Sequence, residues 1–345
     1  MKKRQLLLLI LAAAVLGFLV YLQVQHWRTF DWEKFVDQTE DVHWTKVVIG
    51  VLLIYLADGL RALRWAIFLK PVRKVPARDL VGTQFIGFTG LALLGRLGEL
   101  LRPYLIARKL NLSFSSQLAV WTVERIFDFA AVTLLTSLAL FSSRSVKHLE
   151  HYQQLPIAGI LLILLVLLGT VIAYLIRRYT ALIASAAERI FHRFPAIGRS
   201  LAGKVTAFGE GLNTISDVRS FFGCAGISLS IWILVSLTYL LITHAYPRPL
   251  HSLTWTHAVL LMFFSVAGGV LQLPVVGGGS QFMTITALTY FYLIPNEMAV
   301  SCGILLWLAT FMSVIPLGLI YAHFEHISFR QLTRASQKAE ESLAG

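Results

Sequence analysis

The chain has 345 residues, of which 57% are hydrophobic and 14% are charged, and its mean hydropathy is +0.70. Soluble domains are about 45–50% apolar and about 25% charged, so this composition excludes an ordinary water-soluble domain and indicates a membrane protein. A formal net charge of +12 would suggest nucleic acid as the partner of a soluble protein. Here the basic residues cluster between apolar stretches, so we expect anionic membrane lipid, and no nucleic acid, as the partner.

The chain begins with a short basic segment, Lys2 to Arg4, and an apolar stretch over residues 5–21. A secretory signal peptide has the same order of segments. This stretch is not followed by the small residues of a signal-peptidase cleavage site, so we interpret it as a retained first membrane span.

Apolar stretches approaching the roughly 20 residues that a helix needs to cross a bilayer core recur along the chain. We predict spans near residues 5–21, 47–69, 118–141, 157–176, 221–242 and 298–321. Two further apolar regions are too short or too interrupted for a full span, namely residues 80–95 and residues 258–294.

The distribution of Lys and Arg predicts which loops face the cytoplasm. The linkers before and after residues 80–95 are both basic, so we expect this region to enter and leave the membrane on the inner side. Residues 258–294 would enter from the outer side, and such broken helices need surrounding protein or a water-filled cavity. We therefore predict an all-α polytopic membrane helix bundle with two re-entrant elements and an inverted repeat. Three ordinary spans in the last third are the alternative.

The same pattern places both termini in the cytoplasm of a bacterial-type inner membrane. Residues 177–220 show apolar residues at helical spacing opposed by basic ones, which predicts an amphipathic segment on the inner leaflet or a solvated connector. Residues 326–345 form a polar cytoplasmic tail, so residues 1–325 are predicted to be a single membrane domain.

Charged residues within membrane segments usually face a bundle interior or a cavity. Arg96, Glu99 and Arg102 lie three residues apart, so on a helix they share one face. Two guanidinium groups with a carboxylate between them can hold a phosphate, and charges that merely face headgroups are the alternative.

A second charged group, Glu124, Arg125 and Asp128, lies in the span at 118–141. We expect these side chains to pair with Arg96 or Arg102, either as a buried clamp or as a polar site for a headgroup or a proton. In the span at 47–69, Asp58 would pair with Arg61, while we expect Arg64 to reach the inner interface.

A glycine run separates two half-length apolar segments near the end of the chain. Gly277, Gly278, Gly279 and Gln281 could offer backbone amides at broken helix ends, which can bind an anion. Neither the cysteines nor the histidines show metal-ligand spacing, and no nucleotide, dinucleotide or hydrolase motif occurs. We therefore predict no metal and no cofactor.

The two charged motifs, residues 95–102 and 124–128, together with the stretch Pro274 to Gln281, resemble the lysylphosphatidylglycerol synthase transmembrane-region family, also called the flippase-like domain family. The resemblance covers about residues 47–321 and implies a role in lipid or lipid-linked translocation. Better known members join this region to a cytoplasmic aminoacyl-lipid synthase, for which we expect no room here. Gln281 departs from the pattern, because many relatives carry an acid close to that position.

Our leading hypothesis is a flippase-like transporter of an anionic lipid or polyprenyl-linked molecule, and not an enzyme. Arg96 and Arg102 would attract the cargo phosphate, and Glu124 and Asp128 would balance them without cargo. A membrane-embedded enzyme acting on lipid-linked substrates through Glu99 or Asp128 is an alternative. Another is a membrane partner of a separate lipid-modifying synthase, and a homo-oligomer is compatible with each hypothesis.

Overall fold

The computed structural model describes residues 31–142, 155–192, 195–212, 217–269 and 278–325. These residues form helices and short connections, with no strand among them, which confirms the predicted all-α class. The predicted span at 5–21 and the predicted tail at 326–345 lie outside the described residues.

The helices of the first half are α1 (Trp32–Glu40), α2 (Trp44–Leu69), α3 (Ala77–Leu94), α4 (Leu101–Leu110) and α5 (Phe114–Ser142). A 3-10 turn, Gly95–Leu100, joins α3 to α4. The intervening helices are α6 (Leu155–Ile190) and α7 (Pro195–Leu212).

The helices of the second half are α8 (Val218–Thr243), α9 (Trp255–Gly268), α10 (Gly279–Thr286), α11 (Asn296–Trp307) and α12 (Val314–Phe324). Helix α10 continues as a π-helical turn over Ala287–Phe291. A second π-helical turn, Leu308–Met312, joins α11 to α12.

The first hairpin comprises residues 77–110, with α3 and α4 as its limbs. Gly95 reverses the chain with a φ of 64°, a conformation that glycine adopts at little cost. A Cβ on Gly98 would lie 2.1 Å from the carbonyl oxygen of Gly90, so the limbs pack backbone to backbone. The break therefore falls after Leu94, and the predicted basic linker after it is the return limb of the hairpin.

The second hairpin comprises residues 255–291, of which residues 270–277 lie outside the described part. Its limbs α9 and α10 pack together, and a Cβ on Gly268 would lie 2.2 Å from the carbonyl oxygen of Gly279. Gly278 has a φ of 57°, close to that of Gly95. Glycine thus performs the same two tasks in each hairpin, a sharp turn and a close approach of the limbs.

The two halves of the fold share one order of elements, a long helix followed by a hairpin and a further helical segment. Helices α2 and α8 are antiparallel, because Gly50 accepts a hydrogen bond from Thr238 while Arg64 donates one to Ser228. Helix α3 packs on α12, and α9 packs on α5, so each hairpin contacts the closing helix of the other half. This reciprocal packing is the arrangement that the predicted inverted repeat would produce.

Many large apolar side chains are exposed on the helices, while several charged side chains are buried. Leu52, Leu56, Leu161 and Leu164 are all more than half exposed, whereas charged side chains lie in the interior. Hydrocarbon, unlike water, makes such a surface favourable. Two described helical segments, Val218–Thr243 and Asn296–Phe324, are long and apolar enough to cross a membrane.

The segment between the halves contains a kinked helix. The non-helical backbone of Tyr179 (φ −123°, ψ 29°) divides α6 into a part that ends close to the predicted span boundary at residue 176 and a part that continues to Ile190. Helix α7 packs on both α6 and α5. The predicted amphipathic segment at 177–220 is therefore divided among the end of α6, α7 and the start of α8.

Candidate functional site

Glu124 is the centre of a buried network of charges between α2, α4 and α5. Its carboxylate accepts a hydrogen bond from Arg64 at 2.6 Å and one from the indole of Trp65 at 2.9 Å. Arg102, on the return limb of the first hairpin, donates to both carboxylate oxygens, one of them at 3.2 Å. Because Glu124 is completely buried, its charge is balanced by these two guanidinium groups rather than by water.

Arg64 joins the two halves of the fold. It donates to Asp128 and to the hydroxyl of Ser228 on α8, both at 2.6 Å. Trp232, also on α8, donates to Asp128 at 3.1 Å. The expectation that Arg64 reaches the inner interface is wrong: the side chain has no exposed surface, because two carboxylates on α5 hold it in the interior.

Arg102 is buried and held by partners within the protein. Besides Glu124 it donates to the amide oxygen of Gln84 at 3.0 Å, and its guanidinium lies 5.2 Å from the ring of Phe88. Only 4% of its side chain is exposed. Its surroundings are those of a fold-stabilising ion pair.

A second pair of arginines is more accessible. Arg61 donates to Asp58 at 2.6 Å and exposes 12% of its side chain. Arg125 lies 2.9 Å from Asp128 and 3.7 Å from Glu124 and exposes 41% of its side chain. Arg61 and Arg125 therefore keep donor groups available to a ligand.

A cavity of about 210 Å³ lies between the two hairpins. Four charged residues line it, and they are Asp58, Arg61, Glu99 and Arg125. The first hairpin adds Phe88 and Leu91, while the second adds Ser265, Val266 and Gly269. The ends of both hairpins thus face one partly open space that offers both signs of charge and apolar walls.

Aromatic and hydroxyl side chains of the second half complete the cavity, and they are Trp232, Tyr239, Thr310 and Phe311. Several polar atoms at this cavity lack a hydrogen-bond partner among the described residues. They are Asp58 Oδ2 and the Nε atoms of Arg61 and Arg125. Buried polar groups are normally paired, so these buried atoms are unsatisfied polar positions within the side chains that line the cavity.

The structure brings most of the sequence-predicted residues together in two adjoining places, the cavity and the buried network of charges. Glu99 and Arg125 line the cavity, while Arg102 and Glu124 lie in the network and Asp128 connects the two through Arg125. Arg96 belongs to the turn of the first hairpin, and its side chain lies outside the described part.

The predicted secondary site is divided. Asp58 and Arg61 line the cavity, whereas Gly278, Gly279 and Gln281 do not. Gly277 lies outside the described residues. The described part of the glycine run serves as the turn and the first residues of α10.

Sequence reasoning missed the uncharged partners of the network. Gln84 is a lone amide in a glycine-rich apolar helix, Trp65 lies in the last turns of α2, and Trp232 lies in the middle of α8. A buried indole needs a hydrogen-bond partner, and this signal in the sequence could have placed Trp232 beside a carboxylate.

A family model described as the lysylphosphatidylglycerol synthase TM region matches residues 6–318. The chain belongs to this family. The match confirms the resemblance seen in the charged motifs, and it establishes a transmembrane protein of a family associated with lipid modification. No curated protein and no solved structure matches the chain.

Proposed function

We propose that this member of the lysylphosphatidylglycerol synthase TM-region family is a flippase-like transporter of an anionic lipid or lipid-linked molecule. The supporting observation is the cavity where the ends of two inverted hairpins meet, lined by Asp58, Arg61, Glu99 and Arg125. Inverted repeats with broken helices around a central site are the architecture of many transporters.

The physical task of such a protein is to lower the cost of moving a polar headgroup through hydrocarbon. A charge at the centre of a bilayer is costly, and the cavity replaces part of the lost hydration with ionised side chains. The apolar exterior meanwhile suits the acyl chains, which can stay in the lipid during transport.

Arg61 and Arg125 are the cargo-binding guanidinium groups in this proposal. Each has an unpartnered Nε at the cavity and an acidic partner that fixes its position. Guanidinium binds phosphate oxygens strongly and with defined geometry. The buried pair Arg64 and Arg102 would hold the framework and not the cargo, so the phosphate-binding role expected of Arg102 moves to Arg61 and Arg125.

Membrane lipids are the proposed partners, in a bacterial inner membrane with both termini in the cytoplasm. The basic residues of the linkers support this orientation. In this proposal the protein makes no covalent change to its cargo.

Reconstitution in liposomes tests the proposal. Phosphatidylglycerol labelled on an acyl chain would be added, and exchange between leaflets followed by chemical quenching of the outer leaflet. Wild-type protein should accelerate exchange, and Arg125→Gln should slow it by about 10- to 100-fold, the kinetic equivalent of one lost charge-assisted hydrogen bond. Arg219→Gln, at an exposed position on α8, is the matched control. Wild-type protein that exchanges no anionic or zwitterionic lipid would refute the transporter.

The family description also favours a second candidate, a membrane partner of a separate lipid-modifying synthase. A protein with that function would not need to exchange lipid between leaflets, so the cavity charges would have no part in lipid exchange. Co-purification of a soluble aminoacyl-lipid synthase with both the wild type and Arg125→Gln, together with the absence of exchange, would support this second candidate over the first.

A further inference from the structure

Asp58 is a buried carboxylate with an incomplete set of partners. It lies in the middle of α2, exposes only 2% of its surface and lines the cavity. Oδ1 accepts a hydrogen bond from Arg61, whereas Oδ2 has no hydrogen-bond partner among the described residues. A buried charged oxygen normally has its own donor, so Oδ2 marks a position for one more hydrogen.

Arg61 has two roles that conflict. It is the cation that balances Asp58 at 2.6 Å, and it is also one of the two guanidinium groups that the cavity offers to an anionic headgroup. A phosphate that binds Arg61 places its negative charge beside the carboxylate of Asp58. Like charges in so confined a site disfavour each other strongly.

The other groups around the cavity do not relieve this conflict. The charged and titratable side chains near Asp58 are Tyr55 and Arg61 on α2, Glu99 in the first hairpin, Arg102 on its return limb, Arg125 on α5 and Tyr239 on α8. Arg102 is held by Glu124. Arg125 can also contact the phosphate, but its charge is already balanced by Asp128, so it adds no uncompensated positive charge to the cavity. The described residues that line the cavity from the second hairpin and from residues 310–314 add hydroxyls, apolar groups and backbone but no charge.

We propose that Asp58 takes up one proton when an anionic headgroup binds Arg61, so that binding of the lipid is linked to movement of a proton. The carboxylate and a proton from the aqueous phase become a neutral carboxylic acid, and the proton leaves when the headgroup leaves. The phosphate brings one negative charge and the proton one positive charge, so the net charge of the cavity stays constant. This inference rests on the proposed function and identifies the proton as the ion coupled to lipid transport.

The linkage has a defined sign. Protonation of Asp58 favours the anion, and the anion favours protonation by the same factor. Affinity for the lipid therefore falls as pH rises, by up to about tenfold per pH unit once Asp58 is ionised in the lipid-free protein.

Binding of dioctanoyl phosphatidylglycerol to the full-length protein in neutral detergent tests the linkage, between about pH 5 and pH 9. Wild-type affinity should fall across this range, with uptake of about one proton per lipid in weakly buffered solution containing an indicator dye. Asp58→Asn, which mimics the protonated side chain, should bind without proton uptake and should exceed the wild-type affinity by at least about tenfold at high pH. Glu297→Gln removes a carboxylate from the start of α11, outside the cavity, and should keep the wild-type pH dependence.

An Asp58→Asn protein with the wild-type pH dependence would overturn the linkage. If that variant does not accumulate, proton uptake by the wild-type protein tests the linkage. Lipid binding to the wild type without proton uptake would overturn the linkage equally well. Leaflet exchange in liposomes without proton uptake contradicts the role of Asp58 and leaves the transporter intact. Proton-linked binding without any exchange contradicts the transporter and leaves the Asp58 linkage intact.

Discussion

The first and second hairpins have the same backbone design, yet their side chains differ in kind. Each has a positive-φ glycine at its turn and a glycine contact between its limbs. The first hairpin brings Glu99 and Arg102 into the interior, whereas residues 255–291 contain no Asp, Glu, Lys or Arg. Backbone geometry is therefore repeated across the fold, but the ionic chemistry is concentrated in the first half.

This difference suggests that the two halves have different roles at the cavity. The first half, through α2, the first hairpin and α5, binds and balances charge. The second half closes the cavity with aromatic rings and hydroxyls and contacts the network through two α8 side chains, Ser228 and Trp232. The described residues of the second hairpin therefore pack beside the site without forming ion pairs with it.

Glu124→Gln should give the largest loss of stability, because it removes a carboxylate shared by Arg64 and Arg102. Breaking a buried ion pair from one side costs roughly 3–5 kcal/mol. Thermal unfolding of the purified protein in detergent measures the loss. Glu297→Gln, in the second half, should unfold close to the wild-type temperature, and equal losses in the two variants would contradict the concentration of charge in the first half.

Gly98→Ala and Gly268→Ala test whether the two hairpins are equivalent in backbone. Each new methyl group would lie within 2.2 Å of a backbone oxygen on the opposite limb, so each hairpin must open. We expect comparable losses of about 3 kcal/mol, the upper part of the usual range for overpacking. Gly226→Ala, whose Cβ would have no atom within 4 Å, is the control, and tolerance of either hairpin variant would show that the contact is not needed.

Trp232→Phe tests the link between the uncharged half and the network. The substitution removes the donor to Asp128 and keeps a ring in the cavity wall. Asp128 retains Arg64 and Arg125, so the loss of unfolding free energy should be about 1.5 kcal/mol, the lower limit for a hydrogen bond to a charged group. An unchanged unfolding free energy would mean that α8 contributes packing alone.

Ser280→Ala should have the smallest effect, about 1 kcal/mol, because it breaks one neutral hydrogen bond. The hydroxyls of Ser265 and Ser280 lie 2.7 Å apart between the limbs of the second hairpin. Chemical denaturation compared with Ser230→Ala, an exposed serine on α8, isolates the contribution. A loss as large as that of Glu124→Gln would show that the second hairpin depends on polar contacts as strongly as the first half does.

The sequence predicted the class of fold, the two broken elements and most of the charged site, because charges inside apolar helices and glycines at helix breaks are local signals. It did not predict the position of Arg64, since the choice between a headgroup and a carboxylate depends on which helix lies opposite. Arg102 was expected to bind cargo for the same reason. The pairing of Arg102 with Glu124 is one of the predicted pairings and is confirmed. That the pair is buried depends on how far α4 returns along α3, which spacing along the chain does not define.

A cryo-electron microscopy map of the protein in nanodiscs rich in anionic phospholipid tests the central claim most directly. The account predicts headgroup density between the ends of the two hairpins, with the phosphate within hydrogen-bonding distance of Arg61 and Arg125 and outside that distance from Arg102. Lipid density confined to the outer surface, with an empty cavity sealed by both hairpins, would contradict it.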